Sequence, residues 1–189
     1  MYTNTTQYLR ALASDLVHGC RRTAADGTVI YTPDGTASYD GLWLRDFSYM
    51  VAVYAAGLAA APVGEANLDN TPFLIFTVDS LSRRMDPEAF LPLFTEWEAD
   101  LEQGLFLLPL EEHGLIYNDV QTPHSPYGFT DTIGKTGTLY MESLLYWRAC
   151  RMMERMCKTY GIKNPDRFAK AAESVERSLS LLFDPAAGA

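Results

Sequence analysis

Apolar residues recur at helical spacing along most of the chain, and strand-like alternation is scarce. Residues 5–20 carry Tyr8, Leu9, Leu12, Leu16 and Val17 on one face, which predicts an amphipathic surface helix. Residues 87–108 repeat the pattern: Phe90, Phe94, Trp97, Leu101 and Leu105 form a stripe, and Glu96, Asp100, Glu102 and Gln103 face outward. Residues 165–183 do so again through Phe168, Ala172, Val175, Leu179 and Leu182. Three further segments, 46–60, 72–84 and 138–160, begin apolar on every side. A helix that is apolar all round has to be buried all round. The expectation is therefore two layers, with inner helices enclosed by solvated outer ones.

Punctuation supports these boundaries. Thr71-Pro72, Asp86-Pro87 and Asn164-Pro165 each pair a capping residue with a proline at the first helical position. Pro92 is expected to kink its helix or delay its start. Residues 21–44 read as a long loop with a short hairpin around TVIYTPDGTASY, and residues 109–137 as a second long loop. The layers run outer, inner, inner, outer, inner, outer. Strict alternation would need an outer helix at 61–71; the alternative is an extended crossing of roughly 35 Å, and the pattern leaves both open.

Composition changes this picture little. The 189 residues are 48% hydrophobic and 21% charged, enough for one sizeable core. A net charge of −9 argues against a nucleic-acid binder, which needs a basic stripe. Cys20, Cys150 and Cys157 form no disulfide framework or metal-ligand spacing, and the last two read as small core residues. No metal and no cofactor are expected. The N-terminus lacks a signal-peptide layout, and the uncharged run from Phe47 to Gly64 reads as a core helix rather than a membrane span. A cytoplasmic chain with no membrane partner follows; its oligomeric state is open.

Three features carry candidate chemistry. Trp43, Arg45 and Asp46 stand together where the first inner helix opens. An aromatic face, a fork of donors and a pair of acceptor oxygens suit a sugar ring. They equally suit a staple, an ion-pair partner and an N-cap. Next, YGFTDTIGKTG places Asp131 in a glycine-flanked loop with Tyr127, Phe129, Ile133 and Lys135. Apolar surroundings would raise that carboxyl's pKa toward what a general acid needs; turn formation is the plainer reading. Finally, Glu142 sits among Leu139, Tyr140, Leu145 and Tyr146 in the first turns of an inner helix. It reads either as a buried carboxylate in need of partners or as a surface glutamate favoured by the helix dipole. His124 could line a site beside Tyr127, whereas His18 and His113 look peripheral. Neither a GxSxG nucleophile elbow nor a phosphate-binding glycine motif occurs.

In order, GLWLRDFSYM, LDNTPFLIF with DPEAFLPLF, and YGFTDTIGKTGTLYMESLLYWRACRMM resemble the six-hairpin glycosidases, the glycogen-debranching and glucoamylase-like catalytic domains. The resemblance spans about residues 5–185. It implies an all-α fold, a partial (α/α)6 toroid of helical hairpins amounting to about half the barrel. Residues 1–189 would then be a single, incomplete catalytic domain, inactive by itself. An exo-acting glycoside hydrolase with a carbohydrate substrate is implied. Asp131 would be the general acid; Trp43, Arg45, Asp46, Tyr127, Lys135 and Glu142 would bind substrate. The base would lie beyond this chain. TDTI replaces the family's Trp-Met-Asp, and no outer helix is evident at 61–71. Two other classes remain in view: a non-catalytic helical interaction module, and a toroid-fold polysaccharide lyase using a pair such as His124 and Tyr127.

Overall fold

A computed structural model describes residues 5–33, 36, 38, 68–124, 134–162 and 164–186. The described chain is mostly helical. It divides into two compact units, Met1–Val63 and Gly64–Ala189.

In the first unit, α1 (Thr5–Cys20) runs over the residues its apolar spacing predicts. Leu12 and Leu16 of its apolar face are nevertheless exposed. A hairpin forms at the start of this segment, while most of the second half of the one expected around residues 28–39 lies outside the described residues. β1 (Arg21–Thr23) pairs antiparallel with β2 (Val29–Tyr31), Arg21 opposite Tyr31 and Thr23 opposite Val29. The turn uses Asp26-Gly27, and the Asp26 carboxylate accepts from the Thr28 amide at 2.9 Å. Asp-Gly is the strongest short hairpin signal. The expected centre contains Pro33, which cannot donate to a ladder. Thr32 closes the unit by donating its amide (2.9 Å) and hydroxyl (3.2 Å) to the Cys20 carbonyl. The expected inner helix at 46–60 and the crossing at 61–71 lie outside the described residues, apart from Leu68 to Thr71.

The second unit holds α2 (Asn70–Ser82), α3 (Pro87–Phe106), α4 (Tyr140–Tyr160) and α5 (Pro165–Ser178), which runs on into a short 3-10 turn, Leu179–Leu182. α2 is buried on almost every side, as an inner helix should be: Phe73, Ile75, Phe76, Val78 and Leu81 are all enclosed. Its cap position is Asp69, not Thr71. Pro72 is tolerated there because the first turn's amides lack helical partners in any case. α3 begins at Pro87, with the Asp86 side chain accepting from the Glu88 amide at 2.9 Å. Pro92 lies inside it and does not delay its start. At α5 the cap position falls on Asn164, as the sequence suggests, but in the left-handed conformation and without a capping side-chain bond.

α4 is the central element: it packs against α5 and α2, and more lightly against α3. Its inner stripe is Glu142, Tyr146, Ala149, Cys150, Met153, Met156 and Cys157, the i, i+3, i+4 spacing of a buried face. The helix ends at Gly161, left-handed with φ 68°, where the amide of Ile162 bonds the Cys157 carbonyl at 3.0 Å. At the α3 side, Tyr160 meets the rings of Phe90 and Phe94, at 5.1 and 6.0 Å between centroids. Toward α2, Arg155 reaches the buried carboxylate of Asp79, which Arg83 also bonds at 2.8 Å. The same guanidinium donates to Ser82 Oγ at 2.8 Å, and the Tyr160 hydroxyl to the Ser82 carbonyl at 3.2 Å. Asp79 is therefore a buried charge with two cationic partners, the arrangement that makes burial tolerable.

Burial pushes the thiols of Cys150 and Cys157 up to about 12 from the usual 9.0. Folding thus favours the protonated thiols. Their contribution to stability is complete below pH 9 and is lost as pH rises from there toward about 12, because the unfolded chain releases these protons first. Urea unfolding across alkaline pH should show stability falling over that window, and the native chain should leave both thiols unreacted with an aromatic disulfide reagent. Rapid native-state labelling of either thiol would contradict this packing.

Candidate functional site

The loop leading into α4 is built in stages. The turn Glu111–Gly114 is pinned to α5: the hydroxyls of Ser174 and Ser178 donate to the His113 carbonyl at 3.1 and 2.9 Å. Gly114 is required there. Its φ is +82°, and an added Cβ would stand 2.7 Å from Ser174 Oγ. Leu115 and Ile116 are buried, and β3 (Tyr117–Asn118) follows. It pairs antiparallel with β4 (Gly137–Thr138), Tyr117 opposite Thr138 and Asn118 opposite Gly137. This pairing explains why α4 starts at Tyr140 rather than at 138.

Ser143 locks β3 to the start of α4. Its hydroxyl accepts from the Ile116 amide at 2.9 Å and donates to the Leu139 carbonyl at 2.5 Å. The Leu139 amide returns a bond to the Ile116 carbonyl at 2.9 Å. Glu142 is thereby carried into the interior on the inner stripe of α4. Its side chain is buried, with the residue only 2% exposed, and Oε1 has no hydrogen-bond partner among the described residues. The surface-glutamate reading is thus overturned. The first turn of α4 presents outward-facing amides that favour negative charge nearby. A buried carboxylate oxygen without a donor remains costly even so.

Asn118 stands two residues beyond Ile116 and is fully buried. Its side-chain amide donates to the carbonyls of His124 (2.9 Å) and Lys135 (2.6 Å), and its carbonyl accepts from the His124 amide at 2.8 Å. One side chain thus holds two points of the second long loop that are far apart in sequence. Lys135, half-buried, is held through its backbone in this way, while the side chain of His124 faces solvent. Lys135 and Glu142 therefore enter the same construction of β3, β4 and the first turn of α4. Trp43, Arg45, Asp46, Tyr127 and Asp131 lie outside the described residues. Sequence reasoning missed Asn118 and Ser143. An asparagine or serine in a polar loop or first helical turn looks like any turn former.

Among the described residues no group of three or more His, Cys, Asp or Glu side chains is placed to hold a metal ion, and no helix is long and apolar enough to cross a membrane. Comparison of the chain with protein families, with curated proteins and with solved structures finds no match.

The cost of the Glu142 carboxylate can be measured. Glu142→Met keeps similar volume and removes the orphaned charge. It should raise the unfolding free energy by about 1–2 kcal/mol, seen as a rise of roughly 2–6 °C in thermal midpoint. A fall in midpoint would mean that Glu142 is held by the protein for stability.

Proposed function

We propose that this chain forms part of the substrate-binding and catalytic face of an exo-acting glycoside hydrolase built as an (α/α)6 toroid, of which it supplies about half. The observation that carries the reading is Glu142. A carboxylate with one buried oxygen, Oε1, left without a donor, on a helix beside a side-chain-clamped loop, suits a ligand rich in hydroxyl donors. A sugar hydroxyl would supply the hydrogen bond that Oε1 lacks.

In this reading Asp131 is the general acid that protonates the glycosidic oxygen. Arg45 and Asp46 bind hydroxyls of the terminal sugar, Trp43 forms the wall against its C–H face, and Tyr127 and Lys135 complete the binding contacts. Hydrolysis also needs a second carboxylate. It either activates water from about 6.5–9.5 Å away or attacks the sugar directly from about 5–5.5 Å. No residue of this chain is nominated for that part.

The interaction-module reading calls for a solvated apolar groove on the inner helices. The apolar positions Phe73, Ile75, Val78, Tyr146 and Met153 of α2 and α4 are buried and offer no such groove, whereas Tyr140 and Met141 at the start of α4 are exposed.

The test is turnover by the natural protein that carries this sequence, with maltotriose and a panel of 4-nitrophenyl glycosides as probes. Asp131→Asn should lower kcat by roughly 100-fold or more while KM shifts little. Glu142→Gln should chiefly raise KM. Unchanged kcat in Asp131→Asn would remove Asp131 from the acid role.

A further inference from the structure

We propose that Asp69 is a second substrate-binding carboxylate, sharing a subsite with Glu142 where the N-terminal ends of α2 and α4 adjoin. The ligand it meets there is rich in hydroxyls and carries no negative charge. The inference rests on the glycosidase reading and adds to it a residue and a charge class.

α2 and α4 run parallel, and their contacts climb in step. The Arg148 guanidinium lies 4.8 Å from the centroid of the Phe76 ring. One turn or more further on, Arg155 bonds the Asp79 carboxylate at 3.0 Å, and the Tyr160 hydroxyl donates to the Ser82 carbonyl at 3.2 Å. Asp69 stands seven residues before Phe76, and Glu142 six before Arg148. At 1.5 Å per residue, both lie about 9–10 Å back from that first contact, at one level and at the same end of the pair. Helix axes packed about 8–10 Å apart put the two carboxylates within reach of one sugar ring. Asp69 holds the cap position of α2 and is 1% exposed, yet its side chain makes no capping bond to that helix. An aspartate at a cap position ordinarily serves its own helix. A carboxylate offers about four acceptor positions, so the interaction Asp69 already makes leaves room for a ligand. Glu142 is the independent sign of that ligand: its Oε1 is buried and has no hydrogen-bond partner among the described residues. The amides of two first turns favour acidic side chains at this end. A hydroxyl donor satisfies a carboxylate oxygen, whereas an anionic group would meet two like charges.

Steady-state kinetics of the natural protein and its variants test this, with maltotriose and the 4-nitrophenyl glycosides as probes. Asp69→Asn and Glu142→Gln keep side-chain size and each remove one negative charge. Both should raise KM by about 10-fold or more while kcat stays within about threefold. The rise in thermal midpoint that the probe of lowest KM gives the natural protein should shrink in both variants. Near-ultraviolet circular dichroism reports folding. Where Asp69→Asn does not fold, Asp69→Ser decides, because serine keeps a capping residue at the start of α2 and still removes the charge. The charge class is read by competition: 4-nitrophenyl glucuronide should compete with the probe of lowest KM at least about 10-fold more weakly than 4-nitrophenyl glucoside. Equal competition by the two overturns the uncharged class. A folded Asp69 variant with unchanged KM overturns the subsite, and a raised KM in Glu142→Gln then leaves the glycosidase reading standing. Absence of turnover of every probe by the natural protein removes that reading and the subsite with it.

Discussion

The Ser143 hydroxyl is the constraint on which the rest of the described site depends. It joins the Ile116 amide to the Leu139 carbonyl at the point where an irregular loop becomes the central helix α4. The loop cannot reach β3 in another register without leaving the buried Ile116 amide unpaired, and an orphaned buried amide costs about 1–3 kcal/mol. The position of β3 then sets that of Asn118, and Asn118 holds the backbones of His124 and Lys135. From the same hydroxyl, the other direction along the chain leads to Glu142 and the inner stripe of α4. One small polar side chain therefore ties the packing of α4 to the loop that precedes it.

Around this point the unit balances two kinds of buried charge. Asp79 is satisfied: Arg155 and Arg83 converge on it from α4 and from the end of α2. Among the described residues Glu142 Oε1 is not, although Glu142 lies on the helix that carries Arg155. The contrast shows that this fold can supply cations to an interior carboxylate where the carboxylate serves packing. An interior carboxylate left without one invites a functional explanation, because sites of ligand contact are where local rules of stability are commonly broken.

Much of the helical framework was legible in the sequence. Asp86-Pro87 marks the start of α3 because a carboxylate cap and a proline act locally, within one turn. The all-round apolar start of PFLIFTV marks α2 as enclosed because burial leaves no polar face. Other features were not legible. Asn118 bonds partners 6 and 17 residues further on, so no local pattern reveals it. The pairing of Arg21–Thr23 with Val29–Tyr31 across Asp26-Gly27 joins a helix end to the loop, and the loop's composition alone does not mark its first strand. The cap before α2 shifts to Asp69 because proline fits anywhere in a first turn. Glu142 was visible as an anomaly, a charge among apolar neighbours, but which side of α4 it faced depended on the β3 contact.

The most direct measurement is a crystal structure of the protein with maltotriose bound. The account predicts a sugar hydroxyl donating to Glu142 Oε1 at about 2.7 Å, with Lys135 and the Asp131 carboxylate around the same sugar. A sugar bound away from α4, or a protein group already donating to Glu142 Oε1, would contradict it.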